Sequence, residues 1–184
     1  MIKYTQEDFD AFPVVDGVKQ CPTGDYTAIK IFNEQCSFGK QCSFGKWCFF
    51  GEICSFGERC SFGERCSFGE RCSFGKWCSF GERCSFGERC FFGDGCSFGE
   101  RCSFGECCSF GKCCKINNKN ILNLYVLSIH YKSYTYLWIT EDGYFIQNSN
   151  YSFISEEDFL AVYSKDTPEY ISFIALKALY ELQK

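Results

Sequence analysis

From Cys36 onward the apolar residues of this chain fall on a strict six-residue frame. Cysteine holds the first position 14 times, from Cys36 to Cys114, and phenylalanine the third position 13 times, from Phe38 to Phe110. Glycine holds the fourth position from Gly39 to Gly111, and Lys, Glu or Asp the fifth, with no insertion or deletion. Six is a multiple of the strand period of two and not of 3.6, so Cys and Phe point to one face of an extended segment and the intervening Ser to the other. The glycine that follows permits a sharp corner, and the charged pair after it is solvated. Each hexad therefore reads as a short strand plus a corner. A helix would spread the phenylalanines around its whole circumference and carry a glycine every sixth residue, at roughly 1 kcal/mol each. Disorder does not fit so much apolar surface.

A corner repeated every six residues winds the chain into a solenoid. Two sides would leave a slit too thin for facing phenylalanines. Three sides give 18 residues per coil and an interior of three Phe and three Cys. The charges offer an independent test. At 18-residue spacing the fifth position along one edge reads Lys40, Glu58, Lys76, Asp94, Lys112, alternating in sign, whereas 12-residue spacing places like charges side by side. Opposite charges on neighbouring strands stabilise and like charges do not. The other two edges do not alternate, and Glu52, Glu70, Glu88 and Glu106 would stack, with Arg71 and Arg89 beside them as offsets. Three sides are predicted. The thirteen hexads then make a little over four coils, a rod about 20 Å long at a strand spacing of about 4.8 Å.

The expected fold class is mainly β, a three-sided parallel β-helix with a small α/β C-terminal cap. Residues 1–35 are expected to form an N-terminal cap and first strand, residues 36–114 the repeat solenoid, and residues 115–184 the C-terminal cap. The unpaired strand edges at the ends of a solenoid need such covers. Thr5-x-x-Asp8 is a helix-start signature before Phe9 and Phe12; Pro13, Pro22 and Gly24 mark loops; and Ala28 to Phe32 reads as the first strand. Beyond the repeat, Ile121 to Tyr131 and Thr135 to Thr140 read as strands, and Asp142-Gly143 as a hairpin turn returning through Tyr144, Phe145 and Ile146. Ser155-x-x-Asp158 opens a helix ending near Lys165. Thr167-Pro168-Glu169 opens a second, whose stripe of Ile171, Ile174, Ala175, Ala178, Leu179 and Leu182 is expected to face the core.

Phe38-Gly39-x-x-Cys42-x, read from the phenylalanine, resembles the hexapeptide-repeat pattern of large apolar residue, Gly, two variable, small, variable. That family forms left-handed parallel β-helices, and the resemblance covers residues 36 to 113, with Phe where the family has Leu, Ile or Val. Cys-Ser-Phe also resembles the small-polar-large core of the right-handed pentapeptide repeats, with one residue more. The Cys-Ser-Phe-Gly array with short flanking caps is similar to uncharacterised phage and bacterial proteins, a likeness that implies no activity. Hexapeptide-repeat relatives are often acyltransferases that use a histidine, and some are carbonic anhydrases with three histidine ligands. Residues 36 to 113 contain no histidine.

The 184 residues carry 17 cysteines, a density linked to short secreted disulfide scaffolds, but in a longer chain and in odd number. Met1 to Asp8 has no apolar core, so no signal peptide is expected, and no run approaches the roughly 20 apolar residues of a membrane span. Three readings of the cysteines compete. Disulfides between stacked rungs would need a local twist at each, because neighbouring parallel strands stand about 4.8 Å apart with parallel side chains. Soft-metal binding suits thiolates, but inward thiols are neutral and inert, and no Cys-x-x-Cys occurs. Packing as a small hydrophobe implies a reducing compartment, the cytoplasm. Cys107 and Cys113 stand at the outward sixth position, usually Arg, and are the candidates for thiol reactivity or metal binding; Cys21 also lies outside the frame.

The single histidine, His130, sits on a predicted strand beside Tyr131 and reads as structural. No carboxylate pair, phosphate loop or cofactor motif appears, so no catalytic residue, metal site or cofactor is expected. The net charge is −4, and the repeats hold ten basic and nine acidic residues, which argues against nucleic-acid partners. The expectation is a non-catalytic structural or protein-interaction solenoid, with thiol-based soft-metal binding or redox sensing as the alternative. The partner is another protein or a second copy. Trp47, Ile53 and Trp77, outward at the sixth position, make apolar spots for association.

Overall fold

The computed structural model describes every residue except 33–34, 106, 117, 131–132, 141–142, 149–150, 155–156, 158–164, 166 and 183–184. The chain divides into two compact units, Met1–Asn118 and Lys119–Lys184.

The first unit is a parallel β-solenoid with three faces. Its first face carries Val18–Cys21, Cys36–Phe38, Ser55–Phe56, Ser73–Phe74, Phe91–Phe92 and Ser109–Phe110. The second carries Ser43–Phe44, Ser61–Phe62, Ser79–Phe80, Ser97–Phe98 and Lys115–Ile116. The third carries Ile31–Phe32, Phe49–Phe50, Ser67–Phe68, Ser85–Phe86 and Ser103–Phe104. Serine pairs with the serine or phenylalanine 18 residues on, so each coil is three hexads. There are about five coils rather than four, because Val18–Cys21 and Ile31–Phe32 build one coil ahead of the strict repeat. Its register is one residue shorter, pairing Lys19 with Cys36 and Cys21 with Phe38.

Backbone bonds tie each hexad to both neighbours. The Ser61 amide donates to the Cys42 carbonyl at 2.9 Å and the Gly63 amide to the Phe44 carbonyl at 3.1 Å, both on the preceding coil. The Trp47 amide donates forward to the Glu64 carbonyl at 2.9 Å. Inside, the phenylalanines form three columns. From Phe32 to Phe110, rings 18 residues apart stack with centroids 4.7 to 5.1 Å apart and planes within 12°. From Phe38 onward, successive rings around a coil meet edge to face at 4.9 to 5.2 Å. Both are favourable arrangements, each contributing about 0.5–1.5 kcal/mol beyond area burial. Tyr26 begins the second-face column, stacked on Phe44, and Ile116 follows Phe98 at its other end.

The corner differs from the sequence expectation. The repeat glycines do not supply the left-handed residue; the sixth position does, with φ of 57° to 63° at Gln41, Trp47, Ile53, Trp77, Cys107, Cys113 and the six arginines. The glycines are needed because coils approach closely: a Cβ on Gly75 would lie 2.7 Å from the Glu58 nitrogen and from the Gly57 carbonyl carbon, both backbone atoms. Three edge ion pairs have the 18-residue spacing that the alternating charges imply: Lys40–Glu58 at 3.3 Å, Lys46–Glu64 at 2.8 Å and Lys76–Asp94 at 3.1 Å.

The N-terminal segment opens with the helix Gln6–Asp10, closed by a reciprocal capping box between Thr5 and Asp8. Phe9 meets Phe32 edge to face at 5.1 Å. Val14–Val15 and Val18–Cys21 form a hairpin that sequence reading missed, although Asp16-Gly17, with φ of 50° and 79°, is its signal.

In the second unit Lys119–His130, Ser133–Thr140, Gly143–Asn148 and Tyr151–Ile154 run as an antiparallel meander. Thr140 pairs with Gly143, which fits the expected hairpin, although Asp142 lies outside the described residues. Ser155 and Asp158, the start of the expected first helix, also lie outside them. The second helix is Pro168–Leu182, packed against the first two strands of the meander. Its expected core stripe is corrected at four of six positions, the side chains of Leu179 and Leu182 lying outside the described ones. Ile171 and Ile174 are 59% and 41% exposed and Ala175 and Ala178 are exposed, while Phe173 is 1% exposed. The helix turns Phe173 inward, with Tyr170 and Lys177 half-buried beside it at spacings of three and four, and the run of smaller apolar residues lies round the helix from them.

Candidate functional site

The repeat's distinctive inward polar groups are thiols, and the frame puts them in three columns. Cys36, Cys54, Cys72, Cys90 and Cys108 follow the first face; Cys42, Cys60, Cys78, Cys96 and Cys114 the second; Cys48, Cys66, Cys84 and Cys102 the third. All but half-buried Cys108 are buried, and all 17 cysteines of the chain are free. They do more than fill space. From Cys60 onward each column Sγ donates to a glycine carbonyl on the preceding coil, among them Cys60 to Gly39 at 3.4 Å, Cys72 to Gly51 at 3.4 Å, Cys84 to Gly63 at 3.4 Å and Cys102 to Gly81 at 3.3 Å. At some corners a second Sγ, from the next hexad of the same coil, also reaches the carbonyl: Cys42 to Gly39, Cys48 to Gly45 and Cys66 to Gly63, each at 3.3 Å. Alanine would fit the volume but remove a donor to that oxygen.

The thiols also face one another along a column. The neighbouring thiols and then burial push the Cys72 and Cys78 thiols above the ordinary cysteine range. Cys21 is corrected from a residue outside the columns to an extension of one: it is buried, and its thiol neighbours that of Cys36. Lys19, in register with Cys36, is also buried; its Nζ donates to the Phe9 carbonyl at 3.2 Å and lies 4.6 Å from the Phe9 ring centre.

Cys107 and Cys113 are exposed, as their positions implied, but the structure does not bring them together. Cys107 sits at the corner between the third and first faces, Cys113 at that between the first and second. Each adjoins the last rung of a column, Cys108 and Cys114. Among the described residues, no group of three or more His, Cys, Asp or Glu side chains is placed to hold a metal ion. His130 pairs with Ser133 in the meander.

Departures from the repeat concentrate outside. On the third face Ile31 and Phe49 are paired and exposed, with Trp47 and Ile53 exposed at its two corners. The Arg65 guanidinium lies over the Trp47 ring at 4.4 Å. Phe91 is exposed on the first face, and at the next corner the Trp77 ring lies against Gly95, where a Cβ would stand 2.5 Å from it. Gly95 is the one glycine at a sixth position, and it leaves room for that ring. A shallow groove of about 460 Å³ near the N-terminus is lined by Phe12, Pro13, Gln20, Cys21, Pro22 and Phe38 among others. It holds no acid, base or cation. Among the described residues, no helix is long and apolar enough to cross a membrane.

No protein-family model, curated protein or solved structure matches this chain.

Proposed function

We propose that this chain is a non-catalytic structural solenoid of the hexapeptide-repeat kind, which acts by contact through its outer surface. The observation that carries the reading is where the repeat is broken. The inward Cys and Phe positions scarcely vary, while the outward replacements by Trp, Phe, Ile and Gly gather in two exposed spots, Ile31-Trp47-Phe49-Ile53 and Trp77-Phe91-Gly95. Core packing does not require those replacements, because neighbouring hexads manage with Ser and Arg. Contiguous exposed apolar surface marks contact sites, and a second copy of the chain is the partner proposed. Seventeen free thiols suit a reducing compartment, the cytoplasm. The likeness to phage and bacterial Cys-Ser-Phe-Gly proteins fits a small structural component.

The test is sedimentation over a wide concentration range for the native chain and for a variant carrying Trp47→Arg, Phe49→Ser and Ile53→Arg, which restores the repeat's usual residues. The native chain is expected to gain mass with concentration and the variant to stay monomeric with its stability unchanged. A native chain that stays monomeric throughout sinks the contact reading. Turnover that maps to the N-terminal groove sinks the non-catalytic one.

A further inference from the structure

The margins of the third face decide how two copies of the chain meet. In chain order its strands Phe49–Phe50, Ser67–Phe68, Ser85–Phe86 and Ser103–Phe104 are each entered past a sixth-position residue and left past a fifth-position one. The entry margin reads Trp47, Arg65, Arg83, Arg101, and the exit margin, over its described residues, Glu52, Glu70, Glu88. Parallel register stacks each margin into a row, with a strand spacing of about 4.8 Å from coil to coil. The face is therefore positive along one side and negative along the other. The other two faces are not polarised in this way. The first is left past Lys40, Glu58, Lys76, Asp94 and Lys112, which alternate, and the second is entered past Gln41, Arg59, Trp77 and Gly95, where arginine occurs once.

Stacked carboxylates are unfavourable in a lone chain. At the fifth position elsewhere lysine relieves them, through Lys40–Glu58, Lys46–Glu64 and Lys76–Asp94. Among the described residues no ion pair reaches Glu52, Glu70 or Glu88. Glu52, Glu70, Arg83 and Arg101 are exposed. The same face bears the apolar spot Ile31-Trp47-Phe49-Ile53 at its N-terminal end.

A closed dimer uses the same patch on both copies. Antiparallel rods that use the whole face set each margin against its own copy, arginine against arginine and glutamate against glutamate. Centred instead on Phe49, they leave the last two coils of the face uncovered. Parallel rods, related by a two-fold axis running along the face, set each margin against the opposite one on the same coil. Ile31 and Phe49 then meet their own copies on the axis. Trp47 of one copy meets Ile53 of the other, and on the next coils Arg65 meets Glu70 and Arg83 meets Glu88. One alignment covers the apolar spot and pairs the charges, and complementary charge is what fixes register. Building on the contact reading, on which it rests, we infer that the third face is the interface of a parallel, in-register dimer of this chain, with the Arg margin of each copy against the Glu margin of the other.

The experiment combines sedimentation with crosslinking of the full chain. The exposed thiols are first removed as Cys107→Arg and Cys113→Arg, the residue that six other hexads carry at that position. Ser85→Cys or Ser103→Cys is added, each on the expected axis, and a short bis-maleimide is applied where sedimentation shows dimer. Both should crosslink to their own copy at similar rates, and Ser79→Cys, exposed on the second face, should not. Glu70→Lys with Glu88→Lys installs the residue that four other hexads carry there. That pair should raise the dimer Kd by about tenfold at low salt and keep the β signal in circular dichroism. A dimer in which Ser103→Cys does not crosslink, or in which Ser79→Cys crosslinks equally well, overturns the inference and leaves the contact reading standing. So does a dimer whose Kd the two lysines leave unchanged or lower. A chain that stays monomeric at every concentration overturns both.

Discussion

In the middle coils of residues 36–114 each inward Cys and Phe has copies of itself on the coils above and below. The described residues of 119–182 follow no such repeat. The difference decides how an individual substitution acts. In the solenoid the cost of a change follows from its position in the hexad and is the same at every middle coil. In the C-terminal unit it must be read residue by residue. Stability in the solenoid approximates a sum of equal terms between neighbours, so damage at one rung propagates through the ladders to two others.

The largest effect that tests this contrast is at the ring columns. Phe74→Ala should cost about 4 kcal/mol, because Phe74 is buried and stacked on both sides. Phe62→Ala and Phe86→Ala should match it in urea-unfolding midpoint, and a spread of several kcal/mol among the three breaks the equivalence of rungs. Gly75→Ala should cost about 3 kcal/mol by overpacking against backbone that cannot move aside. In the C-terminal unit the corrected helix face makes a sharper test. Phe173→Ala should cost about 3 kcal/mol, while exposed Ile171→Ser should stay within about 0.5 kcal/mol; the reverse order would restore the stripe as the core.

Smaller effects separate hexad positions from one another. Cys72→Ala should cost about 1 kcal/mol, since it removes a donor to the Gly51 carbonyl. Ile53→Asn should stabilise by about 1 kcal/mol, because a β-branched residue now holds a φ of 57° that asparagine tolerates. Lys40→Ala should change stability by no more than about 0.5 kcal/mol, as its ion pair with Glu58 is exposed. The carboxyl of Asp94 is held below the usual range by the Lys76 ammonium and then by the Lys112 amide. That support is present above the ordinary aspartate pKa and is lost as pH falls through the lowered one, so Asp94→Asn should remove a small acid-side slope in stability and leave neutral pH nearly unchanged.

The sequence was most legible where one rule repeats. The period of six, the inward Cys and Phe, the 18-residue coil and the Lys40–Glu58 and Lys76–Asp94 pairs all follow from counting, because parallel stacking turns sequence distance into spatial adjacency. What counting missed was geometry that no residue type announces. The left-handed corner fell on Trp47, Ile53 and the arginines rather than on glycine, because the glycine is required by the close passage of the next coil, which leaves the φ > 0 step two residues later. The thiol-to-carbonyl bonds depend on that same corner, so cysteine looked like filler. Cys21 and Lys19 were out of reach because the first coil drops one residue from the register. The helix Pro168–Leu182 was misread for a different reason: Phe173, outside the regular apolar stripe, is buried where Ile171, Ile174, Ala175 and Ala178 of that stripe are exposed.

The central claim is that the column cysteines are buried S–H donors rather than disulfides or reactive thiolates. A bulky anionic thiol reagent tests it on the reduced native chain. The expected result is rapid modification of Cys107 and Cys113 alone, slower reaction at half-buried Cys108, and 17 thiols once the chain is unfolded. Rapid native reaction at Cys54, Cys72 or Cys84, or a total below 17 in the unfolded chain before any reductant is added, would contradict it.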